Sequence, residues 1–417
     1  MNIQQKKIAI IGGGPGGLTL ARLLQLKGVA VKVYERDVDR NVRIQGGALD
    51  LHTESGLAAL TKAGLMDAFK SKYRPGAELV RVVDQQAKIY SDQHTAVSNE
   101  NFGDKSHRPE IDRGPLRDIL LDSLQPDTVV WDSHILGIEP MGEQWKILFQ
   151  HGESAIADIV IGADGANSKI RRHVTDIKPN WVGVTMLEGA IKDAAKTAPV
   201  IHELLKGGKI FGFGNENTLI VSSKGDGSFG FAASFKSTEN WAKESGIDFK
   251  DHRQVLAWFK REFSEWDPVW WELFESEETL FIPRPQYCMP LDQQWTARPN
   301  ITLIGDAAHW MPPFAGEGVN MAMLDALQLS EALTDASFPD TRTAIAHYEK
   351  QMFARFAKIG ADTLFNTKWM HQPGALKDML NMFGKNKLKQ GAFIVKYLLN
   401  ARVLPFMRKA IGLRQEG

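Results

Sequence analysis

The sequence predicts an α/β fold in which a parallel, doubly wound domain is interrupted by an antiparallel sheet and followed by a C-terminal helical segment. Three observations predict it. Short apolar segments near residues 8, 159 and 301 each end abruptly in a glycine-containing turn, and the last two turns also carry an aspartate, as buried strands do before a functional turn. Residues 179–298 instead contain alternating runs separated by glycine and asparagine turns, which is typical of antiparallel strands. A long helical stretch then begins at Thr341.

The first apolar segment carries a dinucleotide-binding pattern in the context that the pattern requires. Residues 7–17 read KIAIIGGGPGG, a buried strand that runs into Gly12-x-Gly14-x-x-Gly17 and then into a helical run. The first glycine permits the turn, the second lets a pyrophosphate approach, and the third lets the helix pack on the strand. A second strand ends at Glu35, about 20 residues on, where an acidic side chain binds a ribose. The sequence therefore predicts a Rossmann-like dinucleotide-binding domain.

A second strand-ending turn lies at residues 158–171, which read DIVIGADGANSKIR. The strand breaks at Asp164-Gly165, and Ser168 and Arg171 follow. An isolated Asp-Gly pair is usually a type I turn with a helix cap, so this structural interpretation stays open. Three strand-ending turns at widely separated positions are harder to explain as unrelated, and we interpret Asp164 as a cofactor-binding residue.

The third turn, at residues 300–320, is the most informative stretch of the chain and reads NITLIGDAAHWMPPFAGEGVN. Its short strand delivers Asp306 to a place where a carboxylate can accept hydrogen bonds from sugar hydroxyls. Pro313, Gly316 and Gly318 let the backbone pass close to a flat ligand, and Asn320 is predicted to open a helix whose dipole points back at it. Such a helix N-terminus suits an electron-rich ring such as a flavin.

The composition is that of a large enzyme that acts on a small molecule. The 417 residues contain 50 Lys and Arg against 50 Asp and Glu, which gives no general attraction to nucleic acid or to an anionic membrane. Cys288 is the only cysteine, which excludes an intramolecular disulfide and a thiolate metal cluster and favours a reducing cytoplasm. No uninterrupted apolar run reaches about 18 residues. We therefore expect a cytoplasmic monomer with no metal, nucleic-acid partner or transmembrane helix.

The cofactor-binding domain is predicted to be discontinuous, at residues 1–79, 108–178 and 299–333. The substrate-binding domain is predicted at residues 80–107 and 179–298, where runs such as 219–222 and 228–235 read as antiparallel strands. Aromatic residues at near-helical spacing in this region predict a helix packed on that sheet rather than a ligand box: Trp258, Phe259, Phe263, Trp266, Trp270 and Trp271.

Residues 341–417 are predicted to form a long helix from Thr341 toward Trp369 and, after Pro373, a basic amphipathic tail. We interpret this segment as a wall, a lid or a helical bridge over the site. A helix lying on a membrane surface is the alternative for the tail.

The three turns together resemble the signatures of the flavoprotein monooxygenases related to para-hydroxybenzoate hydroxylase, the class A FAD-dependent aromatic hydroxylases. Longer strings are similar to the tetracycline-inactivating flavin monooxygenases: residues 36–52 (RDVDRNVRIQGGALDLH), 109–120 (PEIDRGPLRDIL) and 305–320. The resemblance implies FAD and NADPH as cofactors. It implies that Asp50, Arg113 and Asp306 contact FAD, that Arg36 belongs to the cofactor-binding segment, and that Arg43 approaches NADPH.

Arg113 also stands out by its spacing. Arg113 and Arg117 are four residues apart and are predicted to share one face of a helix that begins near Pro115. One of the two arginines is expected to reach the cofactor while the other pairs with a carboxylate.

The substrate side departs from the family pattern. Where the tetracycline-inactivating enzymes are expected to carry a glutamine, an arginine and a histidine, this chain has Glu188, Lys209 and Gly230. The planar guanidinium group of an arginine and the imidazole group of a histidine are therefore missing from these positions. We interpret these three as substrate-binding positions and expect a polycyclic phenolic or enolic substrate, either tetracycline or another antibiotic or polyketide.

No Ser/His/Asp arrangement, HExxH motif or Cys/His cluster stands out, so the chemistry is assigned to the cofactor and no catalytic side chain is predicted. His309, beside Asp306, is interpreted as structural. In the predicted reaction NADPH reduces FAD, O2 adds to give a flavin C4a-hydroperoxide, and one oxygen atom passes to the substrate. Two alternatives stay open: an FAD-dependent reductase or dehydrogenase without oxygen insertion, and a peripheral membrane oxidase recruited by the basic tail.

Overall fold

The computed structural model describes residues 2–42, 47–95, 102 and 107–383. It confirms the predicted α/β class, with a parallel sheet, antiparallel sheets and helices that follow them. None of the helices within these residues combines the length and the apolar character needed to cross a bilayer.

In chain order, the strands of the described residues are β1 (Ile8–Ile11), β2 (Val31–Tyr34), β3 (Leu49–Asp50), β4 (Val80–Asp84), β5 (Ile89–Asp92), β6 (Glu110–Ile111), β7 (Val129–Val130), β8 (Ile135–Met141), β9 (Gln144–Phe149), β10 (Ala155–Ala157), β11 (Ile159–Gly162), β12 (Asn180–Ile191), β13 (Lys209–Gly214), β14 (Asn217–Ser223), β15 (Phe229–Lys236), β16 (Ile282–Cys288) and β17 (Ile301–Leu303).

The α-helices of the same residues are α1 (Pro15–Leu26), α2 (Gly56–Lys62), α3 (Met66–Lys70), α4 (Arg113–Asp122), α5 (Ala194–Thr197), α6 (Pro199–Leu205), α7 (Trp241–Glu244), α8 (His252–Glu262), α9 (Asp306–His309), α10 (Gly318–Thr334), α11 (Thr341–Met370) and α12 (Ala375–Phe383). Short 3-10 helices lie at Ile3–Gln5, Gln93–Thr95, Arg171–His173, Pro268–Leu273 and Pro313–Ala315.

The parallel sheet has the strand order β17–β11–β1–β2–β7. Its central strands β1 and β11 are buried along their whole length, because their side chains are apolar on both faces. The three turns singled out in the sequence follow β1, β11 and β17, which are neighbours in this sheet. Since the carboxyl ends of parallel strands share one edge, the three turns meet there.

Two smaller antiparallel sheets lie beside this core. The first, β10–β9–β8, occupies part of the chain for which the sequence analysis expected only the cofactor-binding domain. The second pairs β3 with β6 and places Asp50 directly opposite Glu110. The second sheet therefore brings two acidic residues from distant parts of the chain to the same place.

The largest sheet has the order β16–β12–β15–β14–β13–β4–β5. One face is covered by α6, α8 and the aromatic cluster predicted from the sequence. That cluster packs on the sheet as expected, but it belongs to two helical segments rather than one. The reason is local: α8 ends at Glu262, and Asp267 caps a new 3-10 helix by accepting a hydrogen bond from the Val269 amide at 2.9 Å, with Pro268 at its first position.

The opposite face of this sheet is covered by the end of α11 and by α12. Helix α11 spans Thr341–Met370, so the long helix predicted from Thr341 is confirmed. The Thr218 hydroxyl on β14 donates to the Met370 carbonyl at 3.0 Å and fixes the helix end on the sheet. Residues 384–417 of the predicted tail lie outside the described residues.

Candidate active site

The glycine-rich turn after β1 has the geometry that its pattern predicts. Gly12 has a φ of +112°, and a Cβ atom there would lie 2.3 Å from the Ala163 carbonyl oxygen of the turn after β11. A Cβ atom on Gly17 would lie 2.1 Å from the Gly12 carbonyl oxygen. At Gly14, the N-cap of α1, no heavy atom lies within 4 Å of the Cβ position. Gly12 and Gly17 are therefore needed for close packing, whereas Gly14 leaves open space at a helix N-terminus, where an anion is stabilised.

Glu35 lies at the end of β2 and turns its carboxylate to this glycine turn. It accepts hydrogen bonds from the Gly13 amide at 2.6 Å and from the Asp37 amide at 3.0 Å. The next residue, Arg36, is exposed. Arg43, predicted to approach NADPH, lies outside the described residues.

Asp164 caps its own turn. Its carboxylate accepts from the Ser168 hydroxyl at 2.6 Å and from the Lys169 amide at 2.7 Å. These hydrogen bonds agree with the interpretation of Asp164 as a residue that shapes a turn and caps it. A role of Asp164 in cofactor binding stays a prediction. The neighbouring Arg171 instead reaches across the sheet edge and donates to the carbonyls of Asp306 at 2.6 Å and Ala307 at 2.7 Å.

Asp306 follows Gly305, whose φ of +60° makes the sharp turn at the end of β17. Asp306 is accessible to solvent although protein atoms surround it closely, as is typical of a residue that lines a deep cleft. This desolvation raises the pKa of Asp306, and the charges of Arg113 and Arg171 only partly offset it. The structure thus brings together two of the predicted FAD ligands, Arg113 and Asp306.

Arg117, four residues after Arg113, forms a buried ion pair with Asp37, with 2.9 Å between Nη2 and Oδ2. Helix α4 begins at Arg113 itself. The prediction that one of the two arginines pairs with a carboxylate is therefore confirmed for Arg117. Arg113 lies close enough for its charge to lower the pKa of Asp306, and its contact with the cofactor stays a prediction.

His309 is buried and structural in its contacts. Its Nε2 lies 2.6 Å from Oδ2 of Asp325 on α10, and the same oxygen accepts from the Gly305 amide at 2.8 Å. Asp325 therefore holds both ends of the turn that presents Asp306.

The loop between β17 and α10 is supported by the long helix. Thr363 on α11 donates to the Pro312 carbonyl at 2.7 Å, and Asn366 donates to the Phe314 carbonyl at 2.9 Å. Pro313 and Gly316 are exposed on this loop, and Gly316 has a φ of +69°. The loop is therefore rigid in position but presents its backbone to solvent, as the flat-ligand interpretation requires.

Asn320 differs from its predicted place. Helix α10 begins at Gly318, and Asn320 lies fully buried in its first turn. Its Oδ1 accepts from the His52 amide and its Nδ2 donates to the Asp50 carbonyl, both at 2.9 Å. The amide group thus clamps the segment after β3 onto α10, and a direct contact with cofactor stays a prediction.

His52 is a site residue that the sequence analysis did not single out. It is buried between two carboxylates, with Nε2 at 2.9 Å from Asp50 and Nδ1 at 3.1 Å from Glu317. Burial lowers its pKa, but the hydrogen bonds that the ring donates to the two carboxylates, together with their negative charges, outweigh burial and raise the pKa of His52 to about 9. The spacing of two residues from Asp50 in an extended segment, which puts both side chains on one side, could have indicated it.

Asp50 itself lies beside the loop. Its Oδ1 is 3.4 Å from the Cβ position of Gly316. Burial raises its pKa, yet the hydrogen bond from His52 and the charges of Lys209 and Arg108 leave the pKa of Asp50 below its ordinary value. Asp50 is therefore an anion flanked by cations.

The predicted substrate positions lie on one face of the seven-stranded sheet. Lys209 is opposite Ser222, which is opposite Gly230, so these residues form one row across β13, β14 and β15. Glu188 is on β12, two residues from Ala190 at the end of that row, and pairs with Arg284 at 3.2 Å in a half-exposed position. Lys209 forms an ion pair with Glu110, another residue that the sequence analysis missed.

An apolar cluster continues from Lys209 along this sheet face and packs the sheet against α11 and α12. Side chains on alternate residues of a strand share a face, so Phe211 and Phe213 lie on the side of Lys209. The buried members of the cluster are Val82, Phe213, Trp369, Met370, Ala375 and Met379, and the partly buried side chains packed against them are Val80, Phe211, Ile220, Phe314, Phe365, Leu376 and Leu380. Because Phe314 belongs to the loop before α10, the cluster connects the sheet with the three turns.

Known proteins resemble this chain both in sequence and in fold. The family described as FAD binding domain matches residues 5–109 and 292–351. The monooxygenase asqM of Emericella nidulans is 29% identical over 378 residues, which cover 78% of this chain and 83% of that protein. The 3-amino-4-hydroxybenzoate 2-monooxygenase PtmB3 of Streptomyces platensis is 27% identical, with 85% of each chain covered.

Solved structures share the architecture. HpxO of Klebsiella pneumoniae, complexed with FAD and uric acid, has a TM-score of 0.71 at 20% identity, with 99% of this chain and 97% of that chain covered. The tetracycline destructase Tet(55) has a TM-score of 0.71 at 18% identity, with 95% and 98% covered. At this level of sequence identity, the similarity shows a shared fold alone.

Proposed function

Because the chain belongs to the class A flavin monooxygenases and carries their FAD binding domain, we propose that it uses NADPH and O2 to hydroxylate a polycyclic phenolic or enolic small molecule. The observation that carries this proposal is the meeting of the three turns with the apolar sheet face at Phe314. A redox cofactor and a flat apolar substrate would then share one cleft.

The residues present fit FAD. The open space at Gly14 and the free amides of the first turn of α1 would receive the pyrophosphate, with Glu35 close to the adenosine ribose. Asp306, beside Arg113 in the cleft, would hold the ribityl or ribose hydroxyls. The exposed backbone of Gly316 and the half-buried backbone of Gly318 would face the flavin ring at the N-terminus of α10. Bound FAD supplies the reduction of O2 and an electrophilic oxygen for transfer.

The protein's own contribution is position and the exclusion of water. The partly buried Phe211 and Phe314, packed against the apolar cluster, would hold a fused-ring substrate by contact with its faces, since aromatic side chains pack favourably on flat rings. Helices α11 and α12 cover the buried part of that cluster. Lys209 supplies a positive charge at the end nearest Asp50, where a phenolic or enolic oxygen would be stabilised as an anion.

The substrate within this class is part of the proposal. The names of two matched proteins, a tetracycline destructase and an aminohydroxybenzoate monooxygenase, both indicate oxygen-rich ring compounds. Tetracycline is one candidate, and another antibiotic or polyketide is the second, favoured by Lys209 and Gly230 in place of the arginine and histidine expected for tetracycline. We also propose a cytoplasmic monomer, which gel filtration and cell fractionation would test.

The test is NADPH consumption by the purified yellow protein, with and without tetracycline or 3-amino-4-hydroxybenzoate, with mass spectrometry under 18O2. A stimulated rate and a product heavier by one labelled oxygen atom are expected for a substrate. Stimulated oxidation that yields a product two hydrogen atoms heavier and free of labelled oxygen would instead support the reductase alternative, whereas release of hydrogen peroxide with no changed compound would mean that the compound is not a substrate. NADH in place of NADPH measures the nicotinamide preference, and the Asp306→Ala variant, expected to purify colourless, serves as the flavin-free control.

A further inference from the structure

Glu110 and Lys209 form an ion pair where the cofactor-binding part of the chain meets the substrate sheet. Glu110 is on β6 and its side chain is only 1% exposed, whereas the Lys209 side chain on β13 is 18% exposed and therefore partly accessible to solvent. Oε1 of Glu110 accepts from Nζ of Lys209, and Oε2 has no hydrogen-bond partner within the described part of the chain. A buried carboxylate with one free oxygen is costly, which makes a purely structural role for it unfavourable.

The charges around Glu110 come from several elements. Lys209 faces it from β13, Asp50 from β3 and Arg74 from the segment after α3. Burial and the negative charge of Asp50 raise its pKa, the two cations lower it, and the balance puts the pKa of Glu110 at about 7. Asp50 is in turn neutralised by His52 and Arg108. Glu110 can therefore exchange a proton at neutral pH.

The pair is placed to meet a substrate. Asp50, directly opposite Glu110 in the β3–β6 ladder, lies beside Gly316 of the loop before α10. Lys209 shares its sheet face with the partly buried Phe211, one of the two aromatic side chains proposed to contact the substrate rings. The other, Phe314, belongs to the predicted flavin loop, so the ion pair lies in the part of the fold where the proposed substrate and cofactor positions meet.

We propose that Lys209 and Glu110 together deprotonate the substrate hydroxyl, an inference that rests on the proposed function. The hydroxyl proton of a phenol or enol moves to Nζ of Lys209 while one ammonium proton moves from Nζ to Oε1 of Glu110. The products are an oxyanion held by the Lys209 ammonium and a neutral Glu110 carboxyl group. The oxyanion is richer in electrons at the ring carbon and accepts an electrophilic oxygen more readily. Lys209 touches the substrate, and Glu110 acts through it.

The first test measures the proton on Glu110 without any substrate, by infrared titration of the FAD-loaded protein from about pH 5 to about pH 9. A neutral carboxyl band that disappears near pH 7 is expected, and Glu110→Gln should remove it. Glu349→Gln is the matched control, since Glu349 is also buried with a pKa raised to about 7 but bonds Thr302 on β17, away from the cleft. Because Glu349 contributes its own band, the decisive result is the band lost specifically in Glu110→Gln. If that variant retains every band of the wild type, the proposal is wrong.

The second test is the pH dependence of turnover with tetracycline and with 3-amino-4-hydroxybenzoate. In the wild type and in Glu349→Gln, kcat should rise through about pH 7, as Glu110 loses its proton. In Glu110→Gln this rise should vanish with a loss of roughly 100-fold, and turnover should recover at alkaline pH where the substrate ionises unaided. An unchanged pH profile in Glu110→Gln would overturn the proposal.

Lys209→Arg separates charge from proton transfer, since arginine keeps the positive charge but does not give up a proton. We expect KM to stay within about threefold and kcat to fall as in Glu110→Gln, whereas equal kcat in Lys209→Arg and wild type would contradict proton transfer through Lys209. A further outcome is that neither tested compound is turned over although the FAD content and the rate of NADPH oxidation are normal. In that case the substrate class of the proposed function is wrong. The infrared titration then still decides whether Glu110 holds the exchangeable proton.

Discussion

Arg171 and Asp306 are joined by a hydrogen bond of 2.6 Å from the Arg171 Nη2 to the Asp306 backbone carbonyl. The two residues belong to turns after neighbouring strands, β11 and β17. The guanidinium also donates to the carbonyls of Ala307 and Ala166, so it uses its planar fork to fix both turns. The Asp306 side chain is thus oriented by a residue that does not touch it directly.

Replacing Arg171 with Met should therefore impair FAD binding without removing any predicted FAD ligand. The lost hydrogen bonds leave the buried carbonyl of Ala307 and the partly buried carbonyls of Asp306 and Ala166 without their arginine donor, and we expect the free energy of unfolding to fall by ~2 kcal/mol or more and FAD to be retained poorly. Urea unfolding of the flavin-free protein and the flavin-to-protein absorbance ratio measure the two effects. Arg172→Met, at an exposed neighbouring position, is the control and should be nearly silent. Full flavin occupancy in Arg171→Met would contradict the link.

Gly14 and Gly17 should separate cofactor binding from folding. A methyl group at Gly14 meets no protein atom within 4 Å, so Gly14→Ala should change unfolding by less than ~1 kcal/mol but weaken FAD binding by about tenfold or more. A methyl group at Gly17 meets the Gly12 carbonyl, so Gly17→Ala should cost at least ~2 kcal/mol in the flavin-free protein. Equal effects of the two variants on stability, measured by thermal unfolding without FAD, would count against this assignment.

His52 should make the protein less stable in alkali. Its pKa is about 9 in the folded protein and about 6.5 when unfolded, so its contribution is complete below pH 6.5 and is lost as the pH rises toward 9. The difference between the two pKa values corresponds to a loss of roughly 3 kcal/mol in the free energy of unfolding. Urea unfolding between these pH values measures it, and His52→Gln should flatten the dependence. A wild-type protein with constant stability over this window would show that the imidazole is not held as a cation.

His371 should make the protein less stable in acid. It is buried with Nδ1 at 2.7 Å from the Thr367 carbonyl and Nε2 at 2.7 Å from the Ser234 hydroxyl, and desolvation lowers its pKa to about 4. Since the unfolded value is about 6.5, its stabilising effect is complete above pH 6.5 and is lost as the pH falls toward 4, a change of roughly 3 kcal/mol. Unfolding of wild type and His371→Gln across this range should show the slope in the wild type alone. His347, which is on the same helix but bonds Gln351 at an exposed position, provides the control as His347→Gln.

The sequence by itself determined the parts of the molecule whose structure depends on near neighbours. The glycines after β1 could be assigned their places because the pattern joins a strand, a turn and a helix within about 20 residues, as in the contact between Gly17 and Gly12. The contact of Gly12 with Ala163 of the turn after β11 was visible only in the fold. The long helix from Thr341 and the alternating strands β14 and β15 followed from local periodicity in the same way.

Tertiary structure alone decided which distant residues meet. Asn320 has the composition of a helix-opening residue, yet it bonds the His52 amide 268 positions away, because the fold packs α10 against the segment after β3. Glu110 and Lys209 are 99 positions apart and pair because one ends a two-stranded ladder and the other begins a strand of a different sheet. The register between strands from separate parts of the chain is set by packing of the whole core, and a local pattern of residue types does not contain it.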